Sequence, residues 1–165
     1  MFVFGHLGFG TTLIRPWSDR LSRSALFGGM LLPDVIDKPL YYAHLSDFIS
    51  CTRTFGHTGV LMALVLLAGI AMGRRAPVAL AVGMATHVLL DCALDVMKGD
   101  AASSAWRAAT WPLMGPGFTE IDRMSLATHL WGLVNVQVMV AEVLGAGLLW
   151  WSFRRKRVYE TEAAR

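Results

Sequence analysis

Cysteine is scarce in this chain. Only Cys51 and Cys92 occur, with no C-x-x-C spacing, which excludes a disulfide scaffold and a cysteine-ligated zinc site. Charge is equally thin: Asp, Glu, Lys and Arg make up 16% of the 165 residues, hydrophobic types reach 55%, and mean hydropathy is +0.48, an unusual balance for a soluble domain. The net charge of +3 sits in short basic runs beside apolar segments and lacks interleaved aromatics, so no nucleic-acid partner is expected. Repeats and low-complexity tracts are missing too, and one domain over 1–157 is expected, followed by a mobile tail at 158–165. The apolar start has no basic stretch ahead of it and no small-x-small cleavage signal, so a removable signal peptide is not expected.

What the chain does have is long apolar runs. Those at 55–73, 77–97 and 130–153 are each long enough to cross a bilayer as a helix, while those at 1–14 and 24–32 are short, Pro33 ending or bending the second. The expected fold is therefore all-α: an integral membrane helical bundle of about five helices, two short at the N-terminus and three spanning, with the lipid bilayer as its partner. Residues 98–128, with Trp106, Trp111-Pro112 and Gly115-Pro116-Gly117, read as a loop holding at most a short interfacial helix. Arg15 to Arg23, Arg74-Arg75 and Arg154 to Arg157 can all face the cytoplasm if the helices alternate from an outer N-terminus, which leaves Asp34, Asp37, Asp47, Asp100, Glu120 and Asp122 outside.

Within the fourth run, His87, Asp91 and Asp95 recur every four residues and so share one helix face. An unpartnered Asp among lipid tails costs about 2.5–3.5 kcal/mol on insertion scales, so this stripe faces other helices, water or a metal ion. The tight turn at 74–76 makes the flanking helices antiparallel neighbours, and equal counting from it brings His57 opposite Asp91, with His87 about one turn deeper. The same alternation puts His6, Asp34, Asp37 and His129 near that level. Imidazole and carboxylate without cysteine suit a divalent ion, zinc first, with manganese, iron or magnesium as alternatives. Plainer roles exist for each residue: His87 with Asp91 as a hydrogen-bonded pair between helices, Asp37 and Asp95 as solvated helix ends, and His44 as loop surface. Glu142 lies too deep for the cluster and is expected to pair with Asn135, Gln137 or a neighbouring helix.

Several of these residues stand in a familiar order. Leu31-Leu-Pro-Asp34-Val-Ile-Asp37, Arg53-Thr-Phe-Gly-His57-Thr58, His87-Val-Leu-Leu-Asp91 and Trp111-Pro112 resemble the motifs of a family of bacterial inner-membrane proteins described as metal-dependent hydrolases: Pro-Asp-x-Asp, His-Arg-Gly-x-Thr-His-Ser, His-x-x-x-Asp and a later Trp-Pro. The resemblance runs from Gly5-His6 to about Pro112. The chain departs from it at Asp37, one residue late, at Thr52, where the family has its first His, and at Thr54, where it has Gly. A second register, His57 on the first His and Met62 on the second, leaves Arg53 unmatched. The resemblance implies a multi-pass protein of the inner membrane that cleaves an ester or phosphoester of a lipid or other amphiphile at the outer face. It implies His6, Asp34, Asp37, His57, His87 and Asp91 as metal ligands, and Arg53 and Thr58 as catalytic residues, Arg53 holding a phosphate or carboxylate. The alternative expectation is a non-enzymatic bundle, transporter-like or scaffold, whose His and Asp residues relay protons or ions.

Overall fold

The computed structural model describes residues 3–43, 51–99, 104–118 and 125–163, and these are all-helical, with no strand among them. The chain order is α1 (Val3–Leu13), a 3-10 turn at Arg15–Arg20, α2 (Arg23–Tyr42), a 3-10 turn at Phe55–His57, α3 (Gly59–Ala71), α4 (Arg75–Met97), α5 (Ser104–Thr110), α6 (Leu126–Trp131) and α7 (Val136–Ala163). His44, Asp47, Asp100, Glu120, Asp122 and the side chain of His129 lie outside the described residues.

The alternating helix directions expected from the basic runs are present. α2 and α4 run parallel and make the most extensive contact in the fold, α3 doubles back on α4 through the Gly73 turn, and α7 packs parallel to α1. Gly73 takes φ +61°, a left-handed conformation that closes α3 and that side-chain-bearing residues rarely adopt. Glycine also permits close helix approaches. A Cβ on Gly29 of α2 would lie 2.1 Å from the Leu80 carbonyl oxygen of α4, one on Gly83 of α4 2.3 Å from the Leu26 carbonyl oxygen of α2, and one on Gly8 of α1 1.9 Å from the Gly145 carbonyl oxygen of α7. Such small-residue crossings let backbones touch where lipid supplies no hydrophobic drive.

Three expectations about the elements need correcting. α2 does not stop at Pro33: it continues through Pro33 and Pro39 to Tyr42, 20 residues or roughly 30 Å. Packing against α4 outweighs the interruption. α3 is only 13 residues long, because Phe55–His57 forms a separate turn. Two helical segments are therefore long and apolar enough to cross a membrane, Arg75–Met97 and Val136–Arg154, where three were expected. Finally, two short helices, α5 and α6, stand beside the five expected.

α7 is apolar yet faces outward: only 11% of its apolar window is buried, and Val136, Met139, Val143, Leu144 and Trp150 are all exposed. α3 likewise exposes Leu64, Leu67 and Ile70. The interior, by contrast, holds much of the polar chemistry, since His6, Asp37, Thr54, His57, His87, Asp91 and Asp95 are buried. The molecule thus has apolar outer flanks around a polar centre. That centre lies at one end of the helices. The opposite end carries Arg20, Arg74 and Arg75 around the Gly73 turn, and Arg15 stacks on Trp151.

Candidate metal centre

The site is built where the second half of α4 meets the middle of α2, the start of α1 and the turn before α3. On α4 the four-residue spacing aims His87 and Asp91 to the same side, and both are buried. Pro33 has no N–H, which interrupts the α2 ladder at the Gly29 carbonyl. One residue on, the Met30 carbonyl accepts a hydrogen bond from His87 Nδ1 at 2.7 Å. A carbonyl can only accept, so Nδ1 carries the proton and a neutral His87 presents an unprotonated Nε2 to the site.

His57 is fixed in the same way by a carboxylate. Its Nδ1 lies 2.7 Å from Asp37 Oδ2, and the two Asp37 oxygens also accept from Thr54 N at 2.7 Å, Thr54 Oγ1 at 2.9 Å and Gly56 N at 2.8 Å. With this many donors Asp37 is an ionised acceptor, and His57 too directs its Nε2 lone pair inward. Asp37 was expected among the ligands. It is instead the residue that orients a ligand, because its place one turn beyond Asp34 on α2 sets it against the Thr54 to His57 backbone. The expectation of a solvated helix end fails as well, since Asp37 is 0% exposed.

The two Nε2 atoms face one another at 3.2 Å. Neutral imidazoles so arranged have lone pair against lone pair, a contact relieved by a metal ion between them or by a proton on one of the two nitrogens. Carboxylates complete the ring: Asp34 Oδ1 is 3.9 Å from both Nε2 atoms, and Asp91 Oδ2 is 3.8 Å from His57 Nε2 and 3.9 Å from His87 Nε2. Imidazole nitrogen and carboxylate oxygen are donors that a divalent ion accepts. His6 forms a second, overlapping group with His87 and Asp91. Its Nε2 is 3.2 Å from Asp91 Oδ1, and its ring stacks on that of His87 at 3.8 Å. The buried His and Asp groups can hold a metal ion as Asp34-His57-His87 and as His6-His87-Asp91. His57 and His87 meet at their Nε2 atoms, and His57 Nε2 also lies 3.8 Å from Asp91 Oδ2, one turn further along α4.

The remaining expected site residues act elsewhere. Arg53 forks two carboxylates, Nε to Asp91 Oδ2 at 2.8 Å and Nη1 to Asp95 Oδ2 at 2.5 Å, and also reaches Ser104 Oγ at 3.1 Å. Burial alone would lower its pKa, but the Asp91 and Asp95 charges outweigh that and hold it above the ordinary guanidinium range. Arg53 therefore clamps Asp91, and a substrate anion would have to displace this pairing. Asp95, read as a solvated end, is the buried counter-charge of that clamp. Thr58 caps α3: its hydroxyl accepts from Leu61 N at 3.2 Å and donates to the Phe55 carbonyl at 2.8 Å. Burial pushes the Cys51 thiol up, and its S–H donates to the Arg53 carbonyl at 3.0 Å.

Two supports escaped the sequence reading. Lys38, four residues after Asp34, holds Asp34 Oδ2 at 2.6 Å and leaves Oδ1 turned to the imidazoles; the i,i+4 spacing was the available signal. The Met30 carbonyl has no side-chain signal at all. Glu142 pairs with a neighbouring helix, one of the partners foreseen: its carboxylate accepts from the α1 backbone at Phe4 N (2.9 Å) and Gly5 N (3.0 Å), next to His6 and so closer to the cluster than expected.

Comparison with protein-family models, curated proteins and solved structures finds no match.

Proposed function

We propose that the chain is a divalent-metal-dependent hydrolase of the bacterial inner membrane, cleaving an ester or phosphoester of a lipid or other amphiphile at the outer face. The observation that carries this reading is the pair of opposed Nε2 atoms, each oriented by an acceptor behind it, with Asp34 and Asp91 converging on the same point. Two neutral imidazoles and two carboxylates balance a divalent charge. The orienting contacts, Asp37 to His57 and the Met30 carbonyl to His87, are the outer-shell partners that metal-binding histidines ordinarily have.

When bound, a divalent ion polarises an ester or phosphoryl oxygen and makes water acidic enough to attack near neutral pH. The chain's residues do the rest. His57, His87, Asp34 and Asp91 hold the ion, Arg53 fixes the orientation of Asp91, and Lys38 fixes that of Asp34. His6, through Nε2 on Asp91 Oδ1, steadies the second carboxylate oxygen and extends the donor set. α5 packs over the His57 turn and closes this end of the bundle, which limits water around the site.

The membrane setting is supported by the outward apolar face of α7 and by the basic runs gathered at the end away from the site, as the positive-inside rule orders them. A proton relay is the competing reading, because a shared proton also satisfies two opposed imidazoles. A relay needs a polar path across the bundle, and here the polar groups gather at one end while α3 is wholly apolar.

Metal analysis of the detergent-purified protein beside His87→Ala and Asp91→Ala separates the two. About one or more equivalents of divalent ion in the wild type and a loss in both variants supports the site; equal content in all three refutes it. Turnover of phosphoester and ester amphiphiles that stops on chelation and returns with metal tests the reaction class.

A further inference from the structure

At the end of the bundle opposite the His/Asp cluster, a cavity of about 230 Å³ opens between the Gly73 turn and the segment leading into α2. Its wall combines three guanidinium-bearing residues, Arg20, Arg74 and Arg75, with the apolar Leu21, Ile70 and Val78. Among the described residues no acidic side chain lines it and these arginines make no ion pair. They are exposed, in contrast to Arg53, whose charge is consumed by Asp91 and Asp95. The cavity also receives the start of α4, a 23-residue helix whose N-cap, Arg74, supplies no side-chain cap, so unbonded backbone N–H groups add to the positive potential. From this rim an exposed apolar strip, Ile70, Leu67 and Leu66, continues along α3.

We propose that this cavity binds an anionic membrane phospholipid, the phosphate seated among Arg20, Arg74 and Arg75 and an acyl chain lying along Ile70 and Leu67. The argument is one of complementarity. Guanidinium groups match phosphate oxygens in geometry and charge, a bare helix N-terminus favours the same anion, and the apolar strip beside them matches the rest of the molecule. A free phosphate would use the arginines alone, which leaves the apolar wall without a role; a zwitterionic lipid would use the strip but meet uncompensated positive charge. The inference rests on the membrane embedding proposed above and is independent of the hydrolase chemistry, since the cavity shares no residue with the metal cluster.

The test uses the full chain in detergent micelles, titrated with short-chain phosphatidylglycerol and with phosphatidylcholine of the same chain length, binding being read by native mass spectrometry. The expected result is a preference for phosphatidylglycerol on the order of tenfold or more, three arginines each contributing severalfold. That preference disappears in Arg20→Gln/Arg74→Gln/Arg75→Gln. It persists in Lys98→Gln/Arg107→Gln, which removes charge from the other end of the bundle. Equal binding of both lipids, an equal loss in the two variants, or full competition by millimolar inorganic phosphate would each overturn the proposal. Extraction of the wild type into buffer without detergent would instead refute the embedding, and metal content of the triple variant at the wild-type level shows that the cluster at the other end is untouched.

Discussion

Replacing Asp37 by Asn tests the idea that this carboxylate sets the proton on His57. Asp37 receives four donors: Thr54 N, Thr54 Oγ1, Gly56 N and His57 Nδ1. Asn offers one oxygen and one NH2, and with the oxygen kept toward Thr54 Oγ1 and Gly56 N, the NH2 confronts Thr54 N–H and His57 Nδ1–H. Each buried donor left unpaired costs about 1–3 kcal/mol. His57 can escape its half of the conflict by moving the proton to Nε2, which lets Nδ1 accept from the new amide. The remaining penalty is about 1–3 kcal/mol, and Nε2 now carries hydrogen where a ligand lone pair stood. Loss of such an orienting partner lowers metal affinity about 10–100-fold. At about 2–4 °C per kcal/mol for a domain of this size, the melting temperature falls by roughly 2–12 °C. Affinity is measured by competition with a fluorescent chelator, stability by thermal unfolding in the same detergent with metal removed. Wild-type affinity together with an unchanged melting temperature would refute the assigned tautomer and the orienting role of Asp37.

Other perturbations follow from the same geometry. Arg53→Gln leaves Asp91 and Asp95 as buried charges without their counter-ion, and a destabilisation of about 3–5 kcal/mol is expected by denaturant or thermal unfolding. Arg53→Lys should recover part of that stability but little metal affinity, since one ammonium cannot reproduce the fork. Gly83→Val pushes side-chain atoms into the Leu26 carbonyl and the Gly29 backbone, separating α2 from α4; reduced folded yield and lost metal binding are expected, whereas Gly147→Ala, with open space around it, should be silent in both. Glu142→Gln weakens the hold on Phe4 N and Gly5 N, costing about 1 kcal/mol and reducing, without abolishing, metal retention in a dialysis assay.

The features of the site that were legible in the sequence are those that periodicity can carry. His87 and Asp91 recur at helical spacing, and counting back from the Arg74-Arg75 turn brought His57 to them because both helices advance by the same rise. The alternation of helix directions was legible for a similar reason, since short basic runs mark one end. Illegible were the features set by backbone and tertiary packing. Pro33 is a local signal to stop a helix, but α2 continues because its contact with α4 outweighs one missing hydrogen bond. Asp34 and Asp37 look alike in an acidic motif, yet 3 residues along a helix is enough to seat one at the imidazoles and the other behind His57. Arg53 next to a polar loop read as a free cation for substrate; only the folded chain shows that Asp91 and Asp95 engage it. The Met30 carbonyl, which fixes the tautomer of His87, belongs to the main chain and leaves no trace in residue identity.

The parallel pairing of α1 with α7 has a consequence for how far a disturbance can travel. Glu142 and Gly145 grip the helix that carries His6, across 137 positions of chain between Gly5 and Glu142. α7 brings no imidazole to the cluster, yet loosening it frees the helix on which one of the cluster's rings is mounted. The outermost apolar helix thus acts as a strap around a polar centre it never enters.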